Sequence, residues 1–418
     1  MTGHTESAAV SSTRRAAAEA AEGLGDRVPA LDGLRGFAML LVFLNHAIAL
    51  PLEPVTTRLD AAAHVVGYAA WVAIDLFFVL SGFLITGILL DTKGRPGWWP
   101  AFFARRVLRV FPLYYGALVV LFILLPRLVH WDEPDFATLQ ANQRWYWTYT
   151  VNVLYALTRG RGTPLGTAHF WSLSVEEQFY VTWPLIVWAC KPRGLFRVIG
   201  LVAVGGLAFR LGLVLHDPGN ARATFFLTPG RLDGLMAGAA LAMVARMPGG
   251  LARFKDLAPR VLGASLIALG ALAMLRGGLY TRDPVVAIAA YPVVALAFGA
   301  LLVMALTAPP TSRLVRVLGS VFLRNWGKYS YGIYIFHLPL LTLIERKTTF
   351  YKHAVALLGG SRLPSVLLLA AVVIPLSYAV GWLSYQLYEK RFLELKRYFP
   401  RQSAARARAA VAEASIIP

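Results

Sequence analysis

Three stretches of this chain, Leu34 to Leu50, Trp71 to Leu90 and Val286 to Leu306, are almost unbroken apolar runs. Each approaches the roughly 20 residues needed to cross about 30 Å of hydrocarbon. In hydrocarbon every backbone N–H and C=O must be bonded within the protein, so such runs are predicted to be helices. The short alternating segments of a membrane β-barrel are absent from the sequence. Extended along the whole chain, the pattern predicts ten spans, near 34–50, 66–90, 107–126, 171–190, 196–215, 230–246, 261–276, 284–307, 326–344 and 363–388. Arg210 and several glycines interrupt the fifth and seventh. The expected fold class is therefore an all-α polytopic membrane helical bundle.

Composition agrees with this class. Only 15% of residues are charged and 57% are hydrophobic, where a soluble domain carries about 25% charged residues. The net charge of +19 would raise the question of nucleic acid in a soluble protein. Here no soluble module with a basic stripe is visible, and nucleic acid is not an expected partner. The cations have a simpler reading, because Lys and Arg accumulate in loops that stay in the cytoplasm. With the N-terminus inside, 26 of the 41 Lys and Arg flank the inner ends of the spans and 13 the outer ends. Both termini are thus expected in the cytoplasm of a multi-pass cell-membrane (inner-membrane) protein. Residues 1–29 lack the apolar core of a signal peptide and read as a disordered cytoplasmic tail. Residues 30–396 form the transmembrane domain, and 397–418 a second Ala/Arg-rich tail. Cys190, the lone cysteine, excludes an internal disulfide and reads as a small apolar filler.

Ionisable groups inside such spans are costly, and each is a functional candidate. His46 lies deep in the first span, and Arg35 eleven residues earlier. That is about 16 Å along a helix and close to three turns, so the two are predicted to share a face. Asp32, one turn before Arg35, would cap the helix or pair with it. A neutral imidazole can take a proton from a hydroxyl or attack a thioester. In the second span Asp75 requires a partner such as an arginine, and Ser81-Gly82 suits close helix approach. Arg106 and Arg109, three apart, share a helix face and could clamp phosphates or simply flank the membrane. Tyr115 follows on the same span.

The fourth span opens with His169, Trp171 and the adjacent carboxylates Glu176 and Glu177. These suit either a site or the start of a helix, where acids favour the macrodipole. Arg231 and Asp233 open the sixth span as outer-face polar groups, and His337 sits well inside the ninth. Tyr388 to Phe392 read as an interfacial anchor, as does the aromatic segment Trp145 to Leu157. The long outer connection from Arg127 to Phe170, with His130, Trp131, Asp132, Glu133 and Asp135, could shape an acceptor site or be only a solvated loop. No metal signature, Walker loop or GxSxG elbow is present.

In order along the chain stand LDGLRGFAMLLVFLNHA, DLFFVLSGFLIT, RRVLRVFPLYY, FWSLSVEEQFY, YSYGIYIFHLPLL and YEKRF. This ordered set, spanning about 28 to 395, resembles membrane-bound acyltransferase family 3, bacterial O-acetyltransferases of surface polysaccharides, antigens and some antibiotics. The resemblance implies a ten-span helical core, a cytoplasmic acyl-CoA donor, usually acetyl-CoA, and a carbohydrate or similar hydroxyl acceptor. It implies that His46 is the catalytic histidine with Arg35 as its motif partner. Arg106 and Arg109 match the family's Arg-x-x-Arg pair in donor handling, and Ser81 is grouped with them. Glu176 and Glu177 fall in a motif needed for activity. Asp32, Asp75, Tyr115, His169, Trp171, Arg231 and His337 are expected to support the site. Some members carry an added esterase-like domain, which this sequence does not show after the core. Hand-off at the outer face would then use the core or another protein. An O-acyltransferase of a small molecule such as a macrolide sugar, or a transporter forming no ester, are the rival readings.

Overall fold

Helix starts follow from local chemistry. Pro29, Pro192 and Pro284 occupy first helical positions, where a missing N–H costs nothing. Asp283 caps the helix that follows by accepting from the Val285 and Val286 amides at 2.9 and 3.1 Å, and Ser320 does so for Leu323 at 3.4 Å. Thr57 and Asp60 form a reciprocal capping box. The computed structural model describes residues 28–128, 134–161, 165–348 and 359–400. Of the tails expected at 1–29 and 397–418, residues 1–27 and 401–418 therefore lie outside the described residues, as do His130, Trp131, Asp132 and Glu133 and the side chain of Asp135.

No strand occurs among the described residues. The longer helices are α1 (Pro29–Phe43), α2 (Arg58–Ala69), α3 (Ala73–Thr92), α4 (Trp98–Val119), α5 (Phe170–Ala189), α6 (Pro192–His216), α7 (Leu232–Val244), α8 (Ala258–Arg276), α9 (Pro284–Thr307), α10 (Val321–Lys347) and α11 (Leu363–Ser384). Every one of the ten predicted spans falls on one or more of these helices. Arg210 and the glycines of α6 and α8 do not interrupt them.

Among the described residues seven helical segments are long and apolar enough to cross a membrane, and the chain is a multi-pass membrane protein. They are Pro29–Leu52, Arg58–Thr92, Trp98–Arg127, Pro192–His216, Ala258–Arg276, Pro284–Thr307 and Leu363–Tyr398. α5 and α10 have the length, but they carry the polar residues of the interior, and α7 has only 13 residues. Outward-facing Leu201, Leu215, Ile267, Met274 and Leu275 give α6 and α8 an apolar exterior, as a lipid-facing surface requires.

The interior is built on two tight helix pairs, α3 with α7 and α1 with α10. A side chain at Gly238 would strike the Val79 carbonyl of α3, and one at Gly327 would strike the Asp32 carbonyl of α1. Hydrogen at both positions lets the backbones touch, the small-residue packing common within membranes. α1 passes into a π-helical turn at Leu44–Ala49. Asn45 anchors that turn by donating to the Gly67 and Tyr68 carbonyls at 3.3 and 2.9 Å.

Candidate active site

The close packing of α1 on α10 and of α3 on α7 leaves an interior cavity of about 590 Å³ between α1, α3, α4, α5, α10 and the C-terminal helix end. Asp32, Arg35, Ser81, Arg106, Arg109, Glu176 and Glu177 all line it. Arg105, Lys328 and Lys396 bring the cations on its wall to six. Arg35 is bonded to Asp32 at 3.0 Å, one helical turn away on the same face.

Glu176 is the better held of the two adjacent carboxylates. Ser81 Oγ donates to one of its oxygens at 2.9 Å and Tyr180 OH to the other at 3.0 Å. Ser81 thus reaches the cavity as a partner of Glu176. Tyr180 follows Glu176 by one turn, so the i, i+4 spacing within VEEQFY is a signal the sequence reading passed over. Arg106 lies 3.9 Å over the Tyr180 ring, a cation–π contact. Glu177 Oε1 and Arg106 Nε are buried with no hydrogen-bond partner. Buried polar atoms are rarely left so, and these two belong to residues on the cavity wall.

The anchor reading of Tyr388 to Phe392 needs correction. Glu389 is buried, and its carboxylate lies 3.9 Å from Arg109. Tyr388 OH donates to the Pro112 carbonyl at 3.2 Å. The C-terminal segment therefore braces the arginine helix α4 rather than lying only at an interface.

Arg35 stands on the cavity wall together with Tyr331 and Tyr334 of α10, whereas His46, eleven residues later, lies beyond it. Carried in the π-helical turn, His46 meets α10 at His337. Its Nδ1 lies 2.9 Å from His337 Nε2, and His337 Nδ1 donates to the Tyr334 carbonyl at 2.7 Å. His169 packs edge-on against His337, with ring centroids 4.8 Å apart. Tyr334 belongs both to this group and to the cavity wall, where its hydroxyl meets Ser172 Oγ at 2.6 Å. The histidines thus stand next to the inner end of the cavity.

A third cluster is structural. Arg231 is fully buried and pairs with Asp75 at 2.9 Å. Trp71, Phe78, Trp171, Phe225 and Tyr291 surround its guanidinium at 4.3–5.7 Å. Asp233, also buried, is bonded twice by Arg210, at 2.5 and 3.1 Å. Tyr115 lies off the cavity and donates to the Trp147 carbonyl at 3.2 Å. Among the described residues no group of three His, Cys, Asp or Glu is arranged to hold a metal ion.

The family described as an acyltransferase domain matches residues 28–382. The chain is 30% identical over 334 residues to the peptidoglycan O-acetyltransferase OatA of Listeria monocytogenes, covering 76% of this chain and 50% of the relative. It is 28% identical over 334 residues to the O-acetyltransferase OatA of Staphylococcus aureus, covering 76% and 51%. The chain therefore spans about half the length of these curated relatives. No solved structure matches it. A match over most of its length shows that the chain belongs to acyltransferase family 3.

Proposed function

We propose that the protein is a membrane O-acyltransferase that moves an acyl group, acetyl in the simplest case, from cytoplasmic acyl-CoA to a hydroxyl of a cell-surface or exported glycan. The observation that carries this reading is the cavity, with six cations on its wall and a histidine pair beside its inner end. Coenzyme A presents several phosphates, and guanidinium groups bind phosphate through paired donors. Arg106 and Arg109, with Arg105, Lys328 and Lys396, would hold the phosphates, and the thioester arm would reach inward past Glu176 to Tyr334. The ten-span count and the cytoplasmic placement of both termini belong to the same proposal. So does the division into a transmembrane domain at 30–396 with flanking tails.

His46 takes the proton of the acceptor hydroxyl as its oxygen attacks the thioester carbonyl. The C–S bond breaks, and the proton passes to the departing thiolate. Glu176, held by Ser81 and Tyr180, orients the substrate in the cavity. A glycan acceptor is favoured over a macrolide sugar because the Listeria relative is named for acting on peptidoglycan.

Acetyl-CoA turnover by purified protein in detergent, with N-acetylglucosamine oligomers as acceptor, tests this. CoA release and ester formation that vanish in folded His46→Ala support the reading. Movement of label across vesicles without ester formation would favour the transporter. Trapping labelled acetyl on the protein, and its loss in His46→Ala, would instead indicate an acyl-histidine route.

A further inference from the structure

We propose that His337 is a positioning residue that fixes His46 in the tautomer whose Nε2 is free to accept a proton. The argument needs only donor and acceptor rules. A carbonyl oxygen accepts and never donates, so the 2.7 Å contact to the Tyr334 carbonyl places a proton on His337 Nδ1. A neutral imidazole has one N–H, so His337 Nε2 carries a lone pair. That lone pair lies 2.9 Å from His46 Nδ1, and Nδ1 must donate to it. His46 Nε2 is then the bare nitrogen.

The ring geometry agrees. The His46 and His337 rings are tilted by only 14°, with centroids 5.2 Å apart. This is the separation two imidazoles reach when the facing nitrogens point straight at each other, so the bond lies in both ring planes, where it is strongest. The neutral state of His337 follows from its surroundings. It is 1% exposed, and Phe43, His169 and Tyr334 pack on it with centroids 4.8–5.6 Å away. A charge in this setting would be costly.

The fold supplies the alignment from both sides. On the α1 side, the π-helical turn at Leu44–Ala49 that carries His46 is anchored to α2 by Asn45. On α10 the Tyr334 carbonyl, one turn before His337, sets its ring. When His46 Nε2 gains a proton, its Nδ1–H bond to His337 becomes charge-assisted and shortens. The arrangement resembles an acid–histidine pair in logic, with a neutral imidazole in place of the acid.

This inference rests on His46 being the proton acceptor of the proposed reaction, and its test separates the two. Full-length protein with ¹⁵N-labelled histidine rings is reconstituted in lipid, and the His46 resonances are assigned by their loss in His46→Ala. Solid-state ¹⁵N spectra are expected to show a protonated Nδ1 and a bare Nε2 for His46 in the wild type, and a shift toward protonated Nε2 in His337→Phe. In acetyl-CoA turnover, His337→Asn, too short to place an acceptor at the Nε2 position, is expected to lower kcat by about 10²–10³-fold with the KM for acetyl-CoA unchanged. His337→Gln, whose amide oxygen reaches that position, is expected to restore at least a tenfold part of it. A protonated Nε2 on His46 in the resting wild type, or equal activities for folded Asn and Gln variants, would overturn the inference. Wild-type turnover by His46→Ala would instead overturn the catalytic reading and leave the tautomer measurement standing.

Discussion

Removing Asp75 isolates a guanidinium that cannot reach water. Arg231 and Asp75 are 0% and 1% exposed and 2.9 Å apart, and Arg210 and Asp233 form a second pair beside them. Two cations and two anions balance; Asp75→Ala leaves a net positive charge in the interior. Breaking a buried pair from one side costs about 3–5 kcal/mol. The five rings around Arg231 still face the unpaired guanidinium and keep the loss at the low end of this range, since a desolvated cation–π contact contributes about 2 kcal/mol or more. The expected loss is therefore about 3 kcal/mol, near a hundredfold in the unfolding equilibrium. The assay is unfolding in mixed micelles of rising SDS fraction, followed by tryptophan fluorescence. The double variant Asp75→Leu with Arg231→Met removes both charges and is expected to regain most of the loss, because an apolar replacement of a buried pair is often neutral or stabilising. A single variant as stable as wild type, or a double variant no better than the single, would refute the reasoning.

Three further outcomes are expected. Glu176→Gln should lower kcat about 10²-fold in a folded protein, while Glu177→Gln stays within about tenfold, because only Glu176 is fixed by two donors; parallel turnover assays decide it. Gly327→Ala should destabilise by about 1–3 kcal/mol by forcing α10 off the Asp32 carbonyl, read as a lower thermal midpoint in detergent. Burial alone would raise the Asp283 carboxyl, but its bonds from Arg276 and the Val285 and Val286 amides outweigh burial and hold it below its ordinary 3.8. Its contribution is thus present above 3.8 and lost as pH falls through the depressed folded value. The stability gap between wild type and Asp283→Asn should be open at neutral pH and close in acid.

Much of the cavity wall was legible along the chain, because it comes from contiguous motifs. Arg106 with Arg109, Glu176 with Glu177, and Asp32 with Arg35 each sit within one helical turn, and period alone puts such neighbours together. The demand of Asp75 for a partner was equally legible. Its answer, Arg231, stands 156 positions away, and nothing local could name it. Lys396 was assigned only as the last residue of the core, since a lysine near a chain end looks like any other cytoplasmic charge until the terminal helix folds back along α4.

The sequence by itself determined that the chain is a helical membrane protein, because hydrocarbon admits few ways to satisfy a backbone. It also determined the family, because the order of the motifs is carried in the chain. Only the tertiary structure decided the partner of His46. A helical projection from Arg35 places His46 on a face of the helix, but that its Nδ1 meets His337, with the π-helical turn held by Asn45 against α2, comes from the packing of α1 on α10. Local periodicity sets which face a residue shares; what stands opposite that face is fixed by packing between segments 291 positions apart.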